Sequence, residues 1–128
     1  MKLSEYFEKK KGMGVLATAD AKGVVDVAIY SRPHFIDEET VAFIMADRLT
    51  HKNLETNPHA AFLFKEEGDR YVGKRLYLTK IKEEKNSPLI ETLRRKKTYK
   101  VPQSYESETK YLVYFRVDKV LPLIGDGT

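Results

Sequence analysis

Strand-length apolar runs follow one another along this chain through links mostly too short to hold a crossover helix, so successive strands can pair only antiparallel. The runs span residues 13–19, 25–30, 40–46, 59–66, 71–82 and 111–117. In the second of them Val25, Val27 and Ile29 alternate with Asp26, Ala28 and Tyr30, the period of a strand with one buried face. The links carry turn chemistry. Asp20-Ala21-Lys22-Gly23 ends in the residue that tolerates positive φ, and Asp37-Glu38-Glu39 and Glu66-Glu67-Gly68-Asp69 reverse the chain again. Ser31-Arg32-Pro33 stops the second run, because proline brings no N–H to a ladder. Within the fifth run, Gly73 relieves crowding where a barrel strand bends.

Three short helices fit around these strands. Leu3, Tyr6 and Phe7 fall at helical spacing within residues 3–11, a helix placed across one mouth of the sheet. A second helix follows Thr50 and stops at Asn57-Pro58, and a third runs over 87–97 with Ser87 as cap, Pro88 at the first helical position and Leu89, Ile90 and Leu93 as its apolar face. Residues 98–109 read as loop. The pattern predicts a mainly β fold with short α-helices, a closed six-stranded antiparallel barrel.

Composition narrows the chemistry. A chain of 128 residues makes one domain, 1–128, and the absence of cysteine removes disulfides, thiolate zinc sites and cysteine nucleophiles. No run approaches the roughly 20 apolar residues of a membrane span. A soluble, cytoplasmic protein with no membrane partner is expected. With 23 basic and 19 acidic residues the net charge is +4, which suits an anionic ligand without implying nucleic acid. His34 and His51 lie in or beside turns and His59 follows Asn57-Pro58, so all three read as solvated and no metal site is expected. No Gly-x-Ser-x-Gly is present either, and no catalytic side chain can be named.

The centre of the chain is more specific. An apolar strand over 41–46 passes through Asp47-Arg48-Leu49-Thr50 into the second helix and then into the run at 59–64. A helix that begins at a strand end turns its unpaired N–H groups and the positive end of its dipole outward. Thr50 can cap this helix, and Arg48 and Lys52 flank its first turn. Phosphate suits such a place; so does an ordinary surface helix with two solvated bases.

Arg48-x-Thr50-x-x-Asn53-Leu54-x-x-Asn57-Pro58, set between two apolar strands, resembles the phosphate-binding segment of the FMN-binding split-barrel proteins, the pyridoxamine 5'-phosphate oxidase-like family. The resemblance extends upstream over residues 14–23 and 25–31 and downstream to the long strand and the closing strand. Order and spacing carry it, not any single motif. It implies a Greek-key split barrel that forms a homodimer with FMN in the groove between subunits, acting as an FMN-dependent oxidoreductase on a small-molecule redox substrate. A non-catalytic electron carrier binding flavin, deazaflavin or haem is the alternative. Oxidation of pyridoxamine 5'-phosphate itself is not expected, because the chain ends at Thr128 without the C-terminal region that helps such oxidases bind substrate phosphate.

By the same resemblance Val27, Ala28, Ile29, Tyr30 and Ser31 line the isoalloxazine ring, although the stretch reads equally well as a core strand. Ile44, Met45 and Ala46 form the neighbouring wall. The phosphate falls on Arg48, Leu49 and Thr50 in one register and on Thr50 and Lys52 in another, while Asn53 either adds an amide contact or is an ordinary exposed helix position. Residues 111–117 and 121–124 are the candidate dimer contact, or else they complete the core. The basic run Arg94-Arg95-Lys96-Lys97 is most simply a solvated helix end, with a nucleic-acid patch as the weaker reading.

Overall fold

The computed structural model describes residues 1–95 and 109–126. In chain order they form α1 (Leu3–Lys9), β1 (Gly12–Ala19), β2 (Val25–Tyr30), β3 (His34–Phe35), β4 (Thr40–Ala46), α2 (Leu49–Thr56), β5 (His59–Glu66), β6 (Gly73–Lys85), α3 (Leu89–Arg95) and β7 (Lys110–Pro122). All strands join one antiparallel sheet in the order β2-β1-β5-β6-β7-β4-β3. Residues 98–108 of the expected loop and the basic residues Lys96 and Lys97 lie outside the described residues.

Among the described residues the strands number seven, not six. The addition is the two-residue β3, too short to register as a run and hidden behind Pro33. β6 and β7 each outlast their apolar stretch, because they pair with one another from Lys74 opposite Pro122 to Lys85 opposite Tyr111. Register shifts near Tyr77/Leu78 and Lys80/Lys82 bend this long ribbon. Hydrogen bonding does not close the sheet: β2 and β3 are its two edges. Closure would require these strands to pair, and Pro33 in the short link between them has no N–H to give.

The sheet nevertheless curls around a continuous core. Tyr30 on edge strand β2 meets Phe43 on β4 with ring centroids 5.9 Å apart, and Phe43 reaches Phe62 on β5 at 5.2 Å and Phe115 on β7 at 5.8 Å. Helix α1 forms as its spacing predicted and packs on this core. Its Phe7 is buried among Phe35, Phe62 and Phe64. Each such ring contributes roughly 1.5–3 kcal/mol by leaving water. α3 covers the outer face of β4 and β7 through Ile90 and Leu93 against Ala42, Leu112 and Tyr114.

The alternation in β2 is real, but its orientation is the reverse of the usual one. Val25, Val27 and Ile29 are 78%, 67% and 74% exposed, while Asp26, Ala28 and Tyr30 are partly covered. Register with β1 decides this: Gly14, Leu16 and Thr18 face the core, and opposite them stand Tyr30, Ala28 and Asp26. Paired residues share a face, so the branched side chains point outward. β7 shows the opposite outcome. Leu112, Val113, Tyr114 and Phe115 are buried within this chain. Among the described residues no helix is long and apolar enough to cross a membrane.

Candidate functional site

Helix α2 crosses between the ends of the sheet, packing on β1, β2 and β4. Its buried face carries Thr50, His51, Asn53 and Leu54. The Asn53 amide donates to Thr18 Oγ1 on β1 at 3.1 Å. Asn53 is therefore neither an exposed position nor an unengaged one. At the far end Asn57 accepts from the His59 N–H at 3.1 Å and donates to the Asp20 carbonyl at 3.4 Å, and Pro58 cannot continue the helix. The middle and the C-terminal end of α2 are thus tied to β1, to the turn after it and to the start of β5.

At the start of α2 Arg48, not Thr50, occupies the cap position, with extended backbone and no capping side-chain bond. Thr50 sits inside the first turn, 5% exposed, and no hydrogen bond within the described residues engages its hydroxyl. The first helical bond runs from the Lys52 N–H to the Arg48 carbonyl at 3.0 Å. The N–H groups of Leu49, Thr50 and His51 precede it and have no helical acceptor. Arg48, Leu49 and Lys52 are exposed around them. Arg48 and Lys52 are four residues apart and share one side of the helix.

The two strands named for the flavin wall lie near opposite ends of the sheet, and α2 is the element that touches both. On β2 the side chains of Val27 and Ile29 face outward, Ala28 and Tyr30 face inward, and Ser31 is exposed just beyond the strand. On β4 Met45 is buried in the main core, Ala46 is buried, and Ile44 packs against the cluster under α3. β3 pairs with β4 only at Ala42 and Val41, so that edge of β4 has no strand partner from Ile44 to Ala46 among the described residues. Backbone, not side chains, is what β4 offers there.

His51 differs most from its expected setting. It is 2% exposed and stacks on Tyr111 at 3.9 Å with an interplanar angle of 18°. Nδ1 lies 3.0 Å from Asp47 Oδ1, and Nε2 lies 3.0 Å from Glu83 Oε1. Burial alone would push the Glu83 carboxyl up, but its bonds to Lys80 and His51 outweigh that and hold it below its ordinary value. Glu83 is 32 residues away along the chain, so no local pattern foretold the contact. His34 is also buried, on β3, and only His59 is exposed as expected.

No protein-family model matches the chain, and no curated protein matches it by sequence. Solved structures do. An FMN-binding protein from Syntrophomonas wolfei subsp. wolfei superposes with a TM-score of 0.77 at 16% identity, over 97% of this chain and 85% of that one. An F420 reductase gives 0.68 at 15% identity, over 94% and 97% of the two chains. A candidate pyridoxamine 5'-phosphate oxidase from Lactobacillus delbrueckii gives 0.61 at 15% identity, over 94% and 92%. The chain shares the fold of these FMN-binding, pyridoxamine 5'-phosphate oxidase-like split-barrel proteins.

Proposed function

We propose that this chain is a cytoplasmic, homodimeric flavin-binding protein with a redox role, holding FMN at the start of α2. One observation carries the reading: the first turn of α2 leaves three N–H groups without helical acceptors and the Thr50 hydroxyl unengaged, exposed Arg48 and Lys52 flank that turn along the chain, and the same helix touches β2, whose apolar face is exposed among the described residues. The amides and the hydroxyl would donate to phosphate oxygens, while the two cations neutralise them. Because Arg48 and Lys52 share a helix side, both registers of the phosphate motif converge on one anion.

The ring would lie on Val27 and Ile29, with Ser31 at its edge and beyond it the stretch Ile44, Met45 and Ala46, whose edge away from β7 pairs with no strand among the described residues. Leu49, exposed at the first helical position, would cover the ribityl chain. The flavin supplies the electron transfer when bound; these residues bind and orient it. A redox substrate would approach the uncovered ring face. The fold shared with an F420 reductase supports a deazaflavin as the alternative cofactor. Reduction of the bound flavin by NADH or NADPH with turnover of an acceptor would distinguish an oxidoreductase from a non-catalytic flavin-binding or electron-carrier protein.

The site is tested by comparing FMN with riboflavin, which lacks only the phosphate. Charge-assisted bonds contribute roughly 1.5–3 kcal/mol each. Thr50→Ala with Arg48→Ala should therefore weaken FMN binding at least tenfold and leave riboflavin binding nearly unchanged in a fluorescence titration. Equal losses for both ligands would remove the phosphate from this helix.

A further inference from the structure

Asp47, His51 and Glu55 follow one another at intervals of four, which sets them along one side of α2 and the turn before it. One ligand atom from each lies within 4.8 Å of the others. Asp47 Oδ1 is 3.0 Å and Glu55 Oε1 3.5 Å from the same His51 nitrogen, Nδ1. A single N–H can align with only one of two carboxylates. A cation can satisfy both.

The other ring nitrogen is set for that role. Nε2 faces both Glu83 oxygens at 3.0 and 3.1 Å, and Lys80 Nζ holds Glu83 at 2.6 Å. A carboxylate here draws the imidazole proton to Nε2 and turns the Nδ1 lone pair toward Asp47 and Glu55, the outer-shell arrangement that metal-bound histidines adopt. Stacking on Tyr111 fixes the ring plane. Charge points the same way. Asp47, Glu55 and Glu83 against Lys80 leave two negative charges around the His51 ring, a place that suits a divalent cation.

We propose that Asp47, His51 through Nδ1, and Glu55 bind a divalent cation of the Zn²⁺ or Mn²⁺ class, with solvent completing the coordination. Metal–donor distances of about 2.0–2.2 Å place ligand atoms about 3.0–3.5 Å apart, the spacing already present around Nδ1. The buried histidine supplies rigidity. Asp47 and Glu55, with side chains 51% and 55% exposed, give entry and room for water. The site is separate from the phosphate reading and needs no flavin.

The test is calorimetric titration of the full chain, stripped with chelator and free of flavin, with Zn²⁺ and with Mn²⁺. One ion per chain is expected for at least one of the two metals. Asp47→Asn with Glu55→Gln alters only exposed groups and should abolish that binding while circular dichroism stays unchanged. Glu83→Gln, which touches no ion, should weaken it about 10–100-fold. Co²⁺ used as a spectroscopic probe should show ligand-field bands that the double variant lacks. No stoichiometric binding of either metal, or equal binding by the double variant, would overturn the proposal and leave the cluster an imidazolium between carboxylates.

Discussion

A Cβ at position 73 would overlap the backbone carbonyl oxygen of Phe64, where β6 begins its pairing with β5. The crowding that the sequence suggested at Gly73 is thus a backbone contact, which no side-chain rotation relieves. Gly73→Ala should lower stability by about 1–3 kcal/mol, read as a lower denaturant midpoint with little change in slope. Tyr114 gives a second residue-scale prediction. Burial, then its hydrogen bond to Glu84 Oε1 at 2.7 Å, pushes its hydroxyl up from 10.0 to about 12. The folded state therefore keeps a proton that the unfolded chain loses. The resulting stability is complete below pH 10 and disappears as the pH rises toward about 12. Tyr114→Phe keeps the ring and its contact with Lys82, so a plot of unfolding free energy against pH should fall less steeply for the variant across that window.

Among the elements, α1 shows how a helix of seven residues is held. Its apolar residues are visible in the sequence, but its anchor is not. Arg32, which reads locally as part of a strand-ending turn, donates from Nη1 to the carbonyls of Phe7 at 3.0 Å, Lys10 at 2.9 Å and Glu8 at 3.5 Å. A cation at these carbonyls satisfies acceptors that the helix end leaves open. Arg32→Ala should cost about 1–2 kcal/mol and speed amide exchange in α1 ahead of the sheet. In α2 the helix itself and the Asn57-Pro58 stop were legible. The cap was not, because Thr50 is drawn inward with Asn53 and Leu54 when the helix packs on the sheet, leaving Arg48 at the boundary.

At the scale of the molecule, β2 leaves three branched side chains exposed on a strand that is, among the described residues, an edge of the sheet. Leaving such a face bare forgoes roughly 1.5–3 kcal/mol per side chain. A second copy of the chain with flavin between is the cover proposed here, in place of the β7 contact, whose apolar residues are committed to the core. Val27→Glu with Ile29→Glu should leave the fold intact, since both positions are exposed, yet shift sedimentation to monomer and release flavin. The unaltered protein should carry one flavin per chain and lose it on dilution to monomer. A monomer that retains stoichiometric FMN would exclude the shared site.

By itself the sequence determined what depends on neighbours in the chain. Periodicity and turn residues placed every long strand, α1 and the Asp20–Gly23 turn, where Gly23 does adopt φ +84°. Ser87 does accept from the Leu89 N–H at the start of α3, at 3.2 Å. These features follow from steric and hydrogen-bonding preferences within a few residues. Tertiary structure decided what depends on pairing between distant segments. Alternation in β2 could not say which face is inward, because a shift of one residue against β1 exchanges the two. Asp47, His51 and Glu55 carried their four-residue spacing openly, but only the approach of Glu83 and Tyr111, brought by the long β6 and β7 pairing, buried the ring and assigned its nitrogens different partners.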